Sequence, residues 1–202
     1  MTETTTPAPV RDGRAERGER THDAVVSAML DLIETGDLRP TAPRIAERAG
    51  VSLRTVFHHF EDLEALFATG ARRQMQRHLT DLRRVRREGG LADRIDALVA
   101  SRASALEVIS PVRRSALSFE PSSPVIARHL SWIRGRGRLE IEKVFAIELK
   151  RLPPAARRDV TEALTAAASW STWEALRAHQ GLSIAQARRV MKRMLSALLE
   201  QG

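Results

Sequence analysis

Residues 41–60 read TAPRIAERAGVSLRTVFHHF, two short helical patterns separated by a glycine. Thr41 is the expected N-cap of the first helix, and Pro43 is tolerated in the first turn, where its missing N–H would have had no intrahelical partner. Ile45, Ala46 and Ala49 then share one face at helical spacing. Gly50 follows the last helical residue, where the chain needs a left-handed conformation that glycine adopts without steric cost. Ser52 is expected to cap the second helix. Val51, Val56 and Phe60 can pack back onto Ile45, and the small Ala46 permits the close approach of the two helices. Leu53, Arg54, Thr55, Phe57, His58 and His59 are left with less of a core role. Two helices crossing at a fixed angle are the geometry that carries a recognition helix into a DNA major groove. On this segment alone, an ordinary helical hairpin inside an all-α protein stays open.

Outward from this segment the pattern remains helical. Residues 1–18 are rich in Thr and Pro, then mix Arg with Gly, Ala and acids without an apolar period, which predicts a disordered N-terminal arm. Arg11, Arg14 and Arg17 either track phosphates or form an inert tail. From Glu19 to Thr35 the residues Val25, Val26, Met29, Leu30, Leu32 and Ile33 make a helical stripe closed by Gly36. Asp62 is expected to cap a long helix to about Arg87, its inward face formed by Leu63, Leu66, Phe67, Met75, Leu79 and Leu82. Beyond Glu88-Gly89-Gly90 the punctuation predicts helices at about 91–109, 111–118, 123–149, 154–179 and 183–200. Ser110-Pro111 and Ser123-Pro124 place a capping Ser before a Pro suited to the first helical position. Ser183 and Gln186 have the spacing of a capping box. The fold class is all-α, with about nine helices and no period-2 stretch.

Composition narrows the function. A chain of 202 residues is long enough to bury a sizeable core. No apolar run approaches the roughly 20 residues needed to cross a bilayer, and the N-terminus is polar, so neither a membrane partner nor a signal peptide is expected and the protein should be cytoplasmic. The absence of cysteine excludes a disulfide framework, a thiol nucleophile and a thiolate metal site. The net charge of +8 invites a nucleic-acid reading. Residues 1–62, however, carry eight arginines against eleven carboxylates, a net −3. The positive excess lies at Arg72, Arg73, Arg77, Arg83, Arg84, Arg86 and Arg87, at Arg134, Arg136 and Arg138, and at Arg188, Arg189, Lys192 and Arg193, charge runs that usually mark solvated helix faces. His58 and His59 are adjacent and diverge on a helix, and His22, His78, His129 and His179 are isolated. No metal, cofactor or catalytic constellation is therefore expected.

The segment 41–60 and its flank resemble the DNA-binding domain of the TetR family of bacterial transcriptional regulators. The family pattern T-x-x-x-I-A-x-x-A-G-V-S-x-x-T-x-[YF]-x-[HY]-F, followed by an acidic helix start with E-x-L, is matched at Thr41, Ile45, Ala46, Ala49, Gly50, Val51, Ser52, Thr55, Phe57, His59, Phe60, Glu64 and Leu66. Arg54 stands where Gly is most common, Phe57 where Tyr is common and Leu63 where Lys is usual. The resemblance implies a helix-turn-helix domain over 19–65 and a helical ligand-binding and dimerisation domain over 66–202. It also implies double-stranded palindromic DNA as partner, bound by a homodimer that a small-molecule effector releases, as a repressor does. Arg54 and Thr55, with His58, are the candidates for reading base edges. Thr41, Arg44, Ser52, Leu53, Phe57 and His59 would position phosphates or support the fold.

Two sets of body residues carry open alternatives. Leu164, Ala167 and Ser171, with Ala187, Met191, Met194, Leu195 and Leu198, form stripes on the last two expected helices. They either close the monomer core or make a four-helix dimer interface, and the resemblance favours the dimer. Met75, Phe119, His129, Trp132, Phe145, Trp170 and Trp173 either line an apolar effector cavity or belong to the core. The alternative function is an all-α dimeric ligand-binding or interaction protein with a degenerate DNA-binding head, for which Glu61, Asp62 and Leu63 speak.

Overall fold

The computed structural model describes residues 13–82 and 88–200, with Arg14, Met75 and 77–82 described by their backbone alone. Ten α-helices and one π-helical turn make up the described residues, and no strand occurs among them. The helices are α1 (Gly13–Glu34), α2 (Ala42–Ala49), α3 (Leu53–His59), α4 (Leu63–Leu82), α5 (Leu91–Phe119), α6 (Pro124–Val144), α7 (Ala146–Arg151), α8 (Pro154–Ala167), α9 (Trp170–Glu174) and α10 (Ile184–Glu200). The π-helical turn, Ala175–His179, follows α9. The chain divides into two compact units, one ending at Gly70 and one beginning at Ala71.

In the first unit α1 lays Val25, Val26, Met29 and Ile33 against Ile45 and Ala46 of α2, Val56 of α3, Phe60 and Leu66, all of them buried. The helix-turn-helix frame follows from local chemistry. Gly50 takes φ 66° and ψ 33°, and Val51 N–H then reaches Ala46 O at 3.0 Å, closing α2 with a Schellman turn. Asp62 caps α4, its Oδ1 accepting from Ala65 N–H at 2.7 Å.

Two expectations change here. Thr41 occupies the N-cap position in extended backbone, but its side chain caps nothing. Pro43, the second helical residue, removes one of the two N–H groups an N-cap can accept from, and the other, on Arg44, receives no bond from the Thr41 side chain. Residues 13–18, expected in the arm, are helical. Ala, Glu and Arg there favour propagation from the anchored stripe, and Thr21 Oγ1 donates to Arg17 O at 3.0 Å. The remaining arm, with Arg11, lies outside the described residues, as do Arg83, Arg84, Arg86 and Arg87.

In the second unit three expected boundaries move. No break occurs at Pro111: α5 runs through it. Proline removes one backbone donor in a helix interior and crowds the preceding turn, a cost of roughly 3 kcal/mol. Burial of Leu106 and Ser110 before it and of Val112, Ser115 and Ala116 after it holds the helix together. Ser110, expected as a cap, instead donates Oγ–H to Leu106 O at 2.6 Å and accepts from Trp170 Nε1–H at 3.0 Å. The expected 123–149 helix breaks at Phe145, next to Val144 O, which accepts from the buried Arg94 Nη1–H at 2.6 Å. The expected 154–179 helix breaks at Ala168-Ser169, where Ser169 Oγ caps a new helix through Thr172 N–H at 3.2 Å. At α10 the capping box forms as its spacing predicts, with Ser183 N–H to Gln186 Oε1 at 2.8 Å and Gln186 N–H to Ser183 Oγ at 3.3 Å.

The core of this unit joins Ile95, Leu98 and Val99 of α5, Ile141 and Val144 of α6, Leu149 of α7, Leu164 and Ala167 of α8, Trp173 of α9, and Ala187, Met191 and Leu195 of α10. Part of the set considered for a dimer interface lies in this core. Leu164, Ala187, Met191 and Leu195 are each 0 % exposed within one chain, so they have no surface left for a partner. Ala167 is likewise buried, and Met194 and Leu198 are partly buried against the same core. Ser171 alone of that set is exposed.

Candidate nucleic-acid interface and body cavity

The exposed face of α3 is built by its cap and its spacing. Ser52 Oγ accepts from Thr55 N–H at 3.1 Å and lies 2.8 Å from Thr55 Oγ1. The two hydroxyls thus satisfy each other, and Thr55 is half-buried. Val56 and Phe60 turn into the core. The helix therefore presents Leu53, Arg54, Phe57 and His58, at positions i, i+1, i+4 and i+5 of one surface, to solvent. Leu53 is 43 % and Phe57 49 % exposed, so Phe57 is no prop of the fold. Arg54 makes no hydrogen bond or ion pair among the described residues.

The flanking candidates differ from one another. Thr41 keeps its uncapped hydroxyl on the exposed surface. Arg44 forms a 2.6 Å ion pair with Asp37, at an angle outside hydrogen-bond geometry, and stays largely exposed. His59 leaves the exposed face. Its ring meets those of His58 and His22 edge-on at 5.4 and 6.2 Å, and His22 stacks on Phe60 at 4.6 Å. Burial, then the neighbouring His58 and His22, push the His59 pKa down.

In the second unit a cavity of about 470 Å³ lies among α5, α6, α8 and α9, with Ala71 and Gln74 of α4. Of the aromatic and polar candidates, His129, Trp132 and Trp170 lie on its wall. Phe145 and Trp173 do not: both are 0 % exposed and part of the core. Trp173 can be wholly buried because its Nε1–H finds Glu107 Oε1 at 2.8 Å. Glu107 is in turn held by Arg177 at 2.7 and 3.1 Å, which lowers its pKa. Phe119, at the end of α5, is half-buried and off this wall. Met75 lies on α4 with its side chain outside the described residues.

The wall also contains a residue that sequence reasoning missed. Arg113 of α5 is only 9 % exposed, and its Nε and Nη1 find no hydrogen-bond acceptor among the described residues. Its guanidinium lies over the Trp170 ring, 5.8 Å from the centroid. Burial, then the charge of Arg134, lower its pKa to about 10 against the opposing pull of Glu120, so it is still cationic at neutral pH. Burial, then Arg113 and Arg72, push the His129 pKa down. Nothing in the periodicity around Pro111 marks Arg113, because its burial is created by helices distant in sequence. Of the other wall cations, Arg102 pairs with Glu140 at 2.7 Å, though its Nε finds no acceptor among the described residues, and Arg134 holds Glu120 at 2.7 and 2.9 Å.

Among the described residues no group of three or more His, Asp or Glu side chains is placed to hold a metal ion, and no helix is long and apolar enough to cross a membrane. The whole-chain fold is shared with solved structures of low sequence identity. A transcriptional regulator from Rhodococcus sp. Rha1 is 19 % identical, with a TM-score of 0.68 over 91 % of this chain and 96 % of that one. A tetR-family transcriptional regulator from Streptomyces coelicolor is 16 % identical, with a TM-score of 0.69 over 91 % and 88 %. A TetR-like transcriptional regulator from Rhodococcus sp. RHA1 is 17 % identical, with a TM-score of 0.61 over 95 % and 100 %. No curated protein sequence matches the chain. Residues 26–69, from the middle of α1 into α4, match the model of the bacterial regulatory proteins of the tetR family. Residues 26–69 thus carry a helix-turn-helix segment similar to that of the tetR family of bacterial regulatory proteins, and the described helices share the all-α fold of the solved regulators.

Proposed function

We propose that this protein is a one-component transcription regulator, a repressor, that binds palindromic double-stranded DNA as a homodimer and releases it when a small amphipathic molecule occupies the body cavity. The observation that carries the reading is the exposed Leu53, Arg54, Phe57 and His58 face of α3, with the Arg54 guanidinium unpaired on a rigidly capped helix. Arg54 would bridge guanine O6 and N7, the Thr55 methyl would meet a thymine methyl, and His58 would reach a neighbouring base edge. Thr41, Arg44, Ser52, Leu53 and Phe57 would set the register along the backbone, while His59 supports α3 from behind. The unit ending at Gly70 would carry the DNA contacts, and the unit beginning at Ala71 the effector and dimer contacts. An effector shifts DNA affinity only by its differential affinity for the two states of the protein.

The test is a gel-shift titration against the DNA flanking the protein's own gene, at two salt concentrations. Sequence-preferring, salt-dependent binding is expected. Arg54→Ala should weaken operator binding by about 1–3 kcal/mol and relax preference at one base pair. Equal weakening on operator and unrelated DNA would remove Arg54 from base reading, and no sequence preference in the unmodified chain would overturn the DNA role.

A further inference from the structure

The cavity wall has more positive charge than its own carboxylates answer. Arg102, Arg113, Arg134, Arg136 and Lys143 face it, against Glu140 and Glu162. Each nearby carboxylate already has a cation: Glu140 has Arg102, Glu162 has Arg138, and both oxygens of Glu120 are held by Arg134. Of the wall cations left without a carboxylate among the described residues, Arg136 and Lys143 are exposed to solvent, and the third is Arg113. It is more than nine-tenths buried, with free donors at Nε and Nη1. A guanidinium offers donors only, and one buried without acceptors is costly. The guanidinium lies over the Trp170 ring, 5.8 Å from its centroid, and its Nε and Nη1 donors remain unanswered among the described residues. Around it Ile109, Val112, Leu130, Ile133 and Trp170 supply apolar wall, and His129 adds a polar group.

We infer that the cavity takes an amphipathic carboxylate, whose head pairs with Arg113 while its apolar body lies along Ile109, Leu130, Ile133 and Trp170. This rests on the reading of the cavity as an effector site. A neutral ligand would leave the guanidinium unanswered, and a cationic one would be repelled. A carboxylate makes the two-oxygen, charge-assisted contact that suits this residue.

The test uses the full chain without DNA, so that it stands apart from the DNA reading, whose failure would be seen only in gel shifts. Calorimetric titration compares dodecanoate, 4-phenylbutyrate and 2-naphthoate with their corresponding alcohols, and dodecanoate also with dodecyltrimethylammonium. At least one acid should bind tenfold or more tightly than its alcohol. Arg113→Met should abolish that difference, and Arg113→Lys should keep part of it. If the Met variant does not fold, as judged by circular dichroism, the wild-type protein still decides. The Nε–H resonance of Arg113, assigned by its absence in Arg113→Lys, should move downfield with the acid and stay with the alcohol. The inference is overturned if no acid outbinds its alcohol, if the ammonium compound binds best, if folded Arg113→Met keeps the preference, or if the resonance ignores the acid.

Discussion

His59 sits with its ring between His58 and His22, and that placement ties α3 to α1. Its pKa is below the ordinary 6.5 in the folded chain. Unfolding therefore takes up a proton in the interval between the folded and unfolded values, and stability rises with pH through that interval. Acidifying from pH 7.5 to 5.5 should lower the melting temperature, and His59→Gln should reduce that drop. His129 in the body, also lowered, adds a contribution of the same sign. A melting curve that does not move between the two pH values would refute the assignment. The neighbouring residues show where residue-scale reading succeeds. Gly50 and Ser52 act as expected because a left-handed turn and an N-cap depend on a few adjacent atoms. Thr41 takes the N-cap position and its extended backbone as expected, but without the side-chain bond.

At the scale of elements, α5 is the organising helix of the second unit, and one ion pair fastens α7 to it. Arg94, 3 % exposed, donates to both oxygens of Glu148 at 2.9 and 2.5 Å as well as to Val144 O. Arg94 holds the Glu148 carboxyl below the usual carboxylate range. Removing one partner of such a pair leaves a buried charge alone, and Glu148→Gln should cost about 3 kcal/mol at pH 7, measured by urea unfolding. The depressed pKa fixes the sign with pH: the stabilisation is complete above the unfolded value near 4.5 and is lost as pH falls through the folded one. Variant and wild type should therefore converge in acid, and a gap that persists there would contradict the ion-pair account. None of this pairing was legible beforehand, since Arg94 and Glu148 are 54 residues apart. The same long-range packing carries α5 through Pro111 and breaks the helix at Phe145, two places where local rules point the other way.

At the scale of the whole molecule, dimerisation needs a surface that the monomer core has not used. Leu164, Met191 and Leu195 are fully buried within the chain. The exposed side of α10, with Ile184 at 43 % and Val190 at 36 % exposure, is one apolar surface still open. Val190→Arg should convert a species of twice the 22.5 kDa chain mass into a monomer in analytical ultracentrifugation. It should also weaken palindrome binding more than tenfold with unchanged circular dichroism, because half-site spacing is read only by a paired molecule. A Val190→Arg dimer would put the interface elsewhere.

The sequence by itself determined the all-α class, the helix-turn-helix frame and four of the six outer residues of α3, Leu53, Arg54, Phe57 and His58, while Thr55 and His59 are drawn partly inward. Each rests on spacing, capping and glycine conformation, which act over a turn or two of chain. Only the tertiary structure decided that Phe145, Trp173 and the α10 stripe are core, that Arg94 is locked to Glu148, and that Arg113 is buried and unpaired on a cavity wall. Those outcomes depend on which distant helix covers each side chain. An apolar stripe or a lone arginine reads the same in sequence whether it meets its own core, a partner or a ligand.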